Sequence, residues 1–102
     1  MARIVITSPA DADTTQIIAD LAAKAGGLVA HHYSTELHEL YGRLSDFPET
    51  GAPRPLLGPQ IRISIISPYL VFYEYTAADD TVTIMRIAHE RRKITRSFVT
   101  GK

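Results

Sequence analysis

In the stretch TIMRIAHERRKI, from Thr83 to Ile94, His89 ends a β-like run and is followed at once by Arg91, Arg92 and Lys93. Cleaving a phosphodiester needs a proton acceptor for the attacking hydroxyl and cations for the phosphate oxygens. His89 with Arg86 and Arg62 is therefore the candidate catalytic set of a small nuclease. The plainer reading is a strand that stops and a solvated basic end that begins. Spacing bears on the choice, because Arg86 and His89, three positions apart on one strand, point to opposite faces unless a bulge intervenes. Arg86 alternates with Val82 and Ile84, on a face those residues would bury. An arginine there needs a carboxylate partner, for which Asp11, Asp13 and Glu74 are the candidates.

Two further sets could bind. His31, His32 and His38 have the chemistry of metal ligands, but adjacent helical residues point about 100 degrees apart, and a seven-residue step is too long for one ion. No metal site is expected from them. Tyr69, Val71, Tyr73 and Tyr75 alternate on one strand and could stack on bases, as aromatic sheets do in single-strand binders. The only charge on that strand is Glu74, so packing or a protein partner is the better expectation.

Composition narrows the function classes. At 102 residues the chain can build one two-layer core and no interdomain cleft, so one domain over 1–102 is expected. Eleven basic and eleven acidic side chains cancel, whereas a protein that grips RNA or DNA through many phosphates carries a basic excess. Sequence-specific nucleic-acid binding is not expected. The absence of cysteine removes disulfides and thiolate chemistry. The start, MARIVITSPADAD, turns polar too soon for a signal-peptide core or a membrane span, and the expected location is the cytoplasm.

The elements that must position these residues are legible in outline. RIVIT (Arg3 to Thr7) reads as a strand stopped by Ser8-Pro9. Ser8 as cap, Pro9 at the first helical position and Asp11 mark a helix start. Its apolar stripe is Ile17, Ile18, Leu21, Ala22 and Ala25, and Gly26-Gly27 ends it. A second helical pattern runs from Leu28 through Val29, Tyr33, Leu37, Leu40, Tyr41 and Leu44, close enough to the first to form an antiparallel hairpin. FPETGAPRPLLGP (Phe47 to Pro59) is a loop stiffened by proline. Then the period becomes two, in IRISII (Ile61 to Ile66), YLVFYEYT (Tyr69 to Thr76) and TVTIMRIAH (Thr81 to His89). Helices grouped against a mainly antiparallel sheet make an α+β, two-layer fold of order β-α-α-β-β-β. On the middle strand Leu70 and Phe72 face one way and the tyrosine stripe the other. One helical layer covers one face, leaving an apolar, tyrosine-rich surface for the C-terminal tail or a partner.

Three motifs, GAPRPLLGPQIR (Gly51 to Arg62), PYLVFYEY (Pro68 to Tyr75) and VTIMRIAHERRKI (Val82 to Ile94), together resemble the ParE branch of the RelE/ParE toxins of type II toxin–antitoxin systems. There a Pro/Arg/Leu/Gly loop leads to an arginine-bearing strand, a YLIFY-like strand and a strand of the form V-x-I-x-R-V-x-H-x-x-R. Ordered agreement over the C-terminal half is more specific than any one motif. The N-terminal half shares only the strand–helix–helix layout.

The resemblance implies what the bare residues do not. ParE toxins are described as poisons of DNA gyrase held inactive by a cognate ParD antitoxin whose C-terminal segment wraps the toxin; RelE relatives cleave mRNA in the ribosome. The implied partners are thus a ParD-like antitoxin and gyrase. Two candidate partner-binding sets follow: the stripe Tyr69, Val71, Tyr73 and Tyr75, and the tail residues Arg91, Arg92, Lys93, Arg96 and Phe98, the tail being the segment usually linked to toxicity. The neutral charge, the lack of lysine between Gln60 and Glu90, and the opposed faces of Arg86 and His89 favour a binder over an RNA-cleaving enzyme. The alternatives are a ribonuclease using Arg62, Arg86 and His89, or a degenerate copy that only binds its antitoxin. No cofactor is expected on either reading.

Overall fold

The computed structural model describes residues 1–101. β1 (Arg3–Ile6) runs into α1 (Ser8–Ala25), and one residue, Gly26, joins α1 to α2 (Gly27–Asp46). Gly26 has φ of 95°, a conformation that costs side-chain-bearing residues dearly and lets the chain reverse between helices. After a proline-rich loop come β2 (Ala52–Pro53), β3 (Ile61–Ile66), β4 (Tyr69–Thr76), β5 (Thr81–His89) and a short last helix, α3 (Arg96–Thr100). The sheet order is β1-β5-β4-β3-β2. β1 lies parallel to β5, and every other pairing is antiparallel. The expected α+β fold holds, with β2 added at one edge.

Two local expectations are corrected. The helix cap is Thr7, not Ser8: its Oγ1 accepts the Ala10 N–H at 3.3 Å and lies 2.9 and 3.1 Å from the carbonyl oxygens of Ile84 and Met85. Holding Thr7 to β5 ends β1 at Ile6 and starts the helix one residue early. The loop from Phe47 to Pro59 is also not wholly strandless, since Ala52 and Pro53 pair with Ile63 and Arg62.

Both faces of the sheet are covered. α1 and α2 bury Leu40, Leu44, Val71, Tyr73, Val82, Ile84 and Ile87 on one side. On the other, Ile61, Ile63, Phe72, Ala88 and Val99 form a second core closed by the tail through Ile94 and Phe98. The tyrosine stripe is therefore the helix-covered face, and Leu70 and Phe72 face the tail. Apolar alternation on both sides of β4 leaves that choice to packing. The expected exposed tyrosine face is corrected accordingly.

Tyr41 sits at the edge of the helix-covered core, and its hydroxyl makes no hydrogen bond among the described residues. The nearby Thr14 hydroxyl spends its proton on the Ala10 carbonyl, 2.9 Å away. Burial pushes the Tyr41 phenol from 10.0 up to about 12. Because the folded value is the higher one, the unfolded chain ionises first: stability is unaffected by this group below pH 10 and falls as pH rises from there towards 12. Tyr41→Phe is expected to raise stability by about 1 kcal/mol at neutral pH and to flatten the alkaline fall, as denaturant titrations at pH 7 and pH 11 would show.

Candidate functional site

The three candidate catalytic residues do not meet. Arg62 pairs with Tyr73 across β3 and β4, Arg86 with Phe72, and His89 with Tyr69. Arg62 and His89 thus share the helical face but lie four β4 residues apart, about 13 Å at the strand rise. Arg62 is spent on the loop, its NH1 donating to the carbonyls of Glu49 and Gly51 at 2.7 and 2.8 Å. His89 accepts the Arg91 N–H on Nδ1 at 3.1 Å and rests edge-on against Tyr69, with ring centroids 5.6 Å apart.

Arg86 is on the opposite face, for a reason the alternation of TVTIMRIAH hides. Tyr73 pairs with Ile84 and Phe72 with Arg86, so Met85 is an extra residue, a β-bulge. The bulge turns Arg86 away from Val82 and Ile84 towards the tail, correcting the face expected for it. Of the three carboxylates considered, Asp13 is the partner. Arg86 Nε and NH2 donate to its two oxygens at 2.7 and 2.9 Å, a bidentate fork. The hydrogen bond to Asp13 holds the guanidinium above its ordinary pKa, so it stays charged. Asp13 also accepts the Ile87 N–H at 3.0 Å. That N–H lies past the end of β1, where the carboxylate takes the place of a strand partner.

The tail forms a basic surface on a small apolar foot. Phe98 meets Phe72 edge-on with centroids 6.5 Å apart, and Val99 is buried. Two guanidinium groups lie over the Phe98 ring, Arg86 at 3.9 Å and Arg92 at 4.2 Å. Arg91, Arg92, Lys93 and Arg96 are exposed and form no ion pair among the described residues. Thr95 caps α3 by accepting the Phe98 N–H at 3.1 Å.

An apolar groove opens between the helical hairpin and the end of the sheet, lined by Ile17, Ile18, Tyr33, Leu37, Ile66 and Tyr69. Tyr33 and Tyr69 meet edge-on at 5.6 Å, and burial raises the Tyr69 phenol. Of the candidate partner stripe Tyr69 and Val71 line this groove, Val71 from beneath. Val71 and Tyr73 have no exposed surface, and Tyr75 is half-buried with its hydroxyl donating to Asp80 at 2.7 Å. Val71 and Tyr73 are thereby corrected from surface to core. Ile17, Ile18 and Leu37 were visible as helical stripes, which read as core because the groove exists only once the hairpin is set on the sheet. His31, His32 and His38 are exposed, and no cluster of metal-ligating side chains exists among the described residues. No helix among them is long and apolar enough to cross a membrane.

Comparison with known proteins agrees with this architecture. The family model described as ParE toxin of type II toxin-antitoxin system, parDE, matches residues 4–94. Toxin ParE3 of Caulobacter vibrioides is 30% identical over 94 residues, covering 92% of each chain. A solved structure of a chromosomal ParDE TA system from P. aeruginosa superposes with a TM-score of 0.72 at 22% identity, over 87% of this chain and 96% of that one, which speaks for the fold. The chain belongs to the ParE family of toxins of type II toxin–antitoxin systems.

Proposed function

We propose that the chain, working as one domain in the cytoplasm, poisons DNA gyrase by binding it and is held inactive by a ParD-like antitoxin encoded beside it. The observation that carries the non-catalytic reading is the commitment of Arg62, Arg86 and His89 to separate structural contacts. A ribonuclease would need them, or equivalents, converging on one phosphate. The unpaired basic tail suits an acidic target surface, and the groove beside Tyr33 and Tyr69 suits an apolar antitoxin segment that folds as it binds.

Expression without the antitoxin tests this, with the chain as it stands and as His89→Ala. Loss of a general acid or base costs about a hundredfold or more in rate. His89→Ala is expected to keep toxicity, with double-strand breaks, an induced damage response and inhibited supercoiling by purified gyrase. Toxicity lost together with new mRNA cuts would overturn the reading in favour of RNA cleavage. No toxicity in either form would mark a degenerate toxin that survives as its antitoxin's partner.

A further inference from the structure

We propose that Arg86 is a positioning residue for the C-terminal segment, a latch oriented by Asp13 that fixes Phe98, and with it the basic tail, on the sheet. The physical claim stands alone; its value for toxicity rests on the gyrase reading above.

The tail cannot hold itself. α3 spans five residues, far below the length at which a helix persists in water. Glu90 N–H is tied to the Pro68 carbonyl at 2.8 Å, but from Arg91 to Thr95 the chain has no strand partner and its main-chain anchors are turn bonds such as Arg92 N–H to His89 O at 2.9 Å. Something outside the segment must set its place.

Arg86 reaches three elements at once. The Asp13 fork ties it to α1, and the same carboxylate takes the Ile87 N–H of β5, so the guanidinium plane is fixed before the tail arrives. The remaining nitrogen, NH1, donates to the Phe98 carbonyl at 3.1 Å, and the plane covers the Phe98 ring at 3.9 Å. An ion pair that served only to neutralise Arg86 would need Asp13 alone. The carbonyl and the ring belong to the tail, and only a planar, multiply donating cation serves all of them together. Arg92 lies over the same ring at 4.2 Å, so locating Phe98 also locates part of the exposed basic surface.

The test is amide hydrogen exchange on the purified full chain and on Arg86→Lys, Arg86→Gln and Phe98→Ala. The amides that report on the tail are those of Phe98, Val99 and Gly101, all bonded within the segment; those of the β3–β4 ladder report on the fold. In both Arg86 variants, tail exchange is expected to quicken at least tenfold while ladder exchange changes less than threefold. The double variant Arg86→Gln/Phe98→Ala should be little faster than either single one, because both remove one shared contact. Unchanged tail exchange, or an equal change in tail and ladder, would overturn the proposal. Gyrase supercoiling is assayed in parallel. A wild-type chain that leaves supercoiling untouched overturns the gyrase reading alone, since the exchange ratio is measured without a target. Full inhibition by an Arg86→Lys variant whose tail has loosened overturns the role in toxicity.

Discussion

Phe72→Ala is expected to lower folding stability by about 4 kcal/mol, the usual cost of removing a fully buried aromatic ring and leaving its cavity. Phe72 has no exposed surface and sits in the core shared by Ile61, Ile63, Ala88 and Val99, beneath Phe98. Against a typical total of about 5–15 kcal/mol, the loss raises the unfolded fraction roughly a thousandfold. Chemical denaturation checks it through a lower midpoint at an unchanged slope. Leu56→Ala makes a suitable control: Leu56 is 93% exposed, and its removal should change stability by less than about 0.5 kcal/mol. A loss below about 1 kcal/mol at Phe72 would mean that the tail-side core contributes little, contrary to its burial.

Gly51→Ala comes next in size, at about 3 kcal/mol. A methyl at Gly51 would stand 2.5 Å from the Tyr73 hydroxyl oxygen and 2.7 and 2.9 Å from its ring carbons Cε1 and Cζ, inside any real contact distance. Crowding of this kind costs about 1–3 kcal/mol, and moving the ring also strains two hydrogen bonds. Tyr73 donates to the Pro48 carbonyl at 2.9 Å and accepts the buried Gly51 N–H at 2.8 Å. Tyr73→Phe by itself is expected to cost about 2 kcal/mol by orphaning that N–H. The double variant should cost clearly less than the sum, since both changes act on one oxygen. Strict additivity in denaturant titrations would refute the tight approach of loop and ring.

The meander was legible in the sequence almost to the residue, because β3, β4 and β5 are runs rich in β-branched and aromatic residues set between punctuating prolines, glycines and aspartates. The helical hairpin was legible from its stripes and from Gly26. What escaped shares one physical cause, that the deciding contacts are distant in the chain. Nothing in TVTIMRIAH announces that Met85 is skipped in the ladder, yet that bulge decides where Arg86 points. Nothing local says which side of YLVFYEYT the helices cover, since both sides are apolar, and so Val71 and Tyr73 read as surface. The Thr7 cap is set by carbonyls of Ile84 and Met85, and β2 exists only because Ile63 lies opposite Ala52. Asp13 was visible as one of three possible partners of Arg86, and geometry alone separated it from Asp11 and Glu74. The exposed tail cations were legible as a solvated basic end; their anchorage through Phe98 was not.

The parallel pairing of β1 with β5 has a consequence for synthesis. Thr7 finds its hydrogen-bond partner Ile84 a full 77 residues later, so the first strand waits unpaired while both long helices and β2 to β4 emerge from the ribosome. Until β5 arrives, β1 has no neighbour, β4 has a bare edge, and the tail with its cations does not yet exist. The helical hairpin can form early, being local, but the sheet closes only when β5 inserts between β1 and β4, and the basic segment follows directly after it. A product cut short before β5 is thus an aggregation-prone fragment with open strand edges.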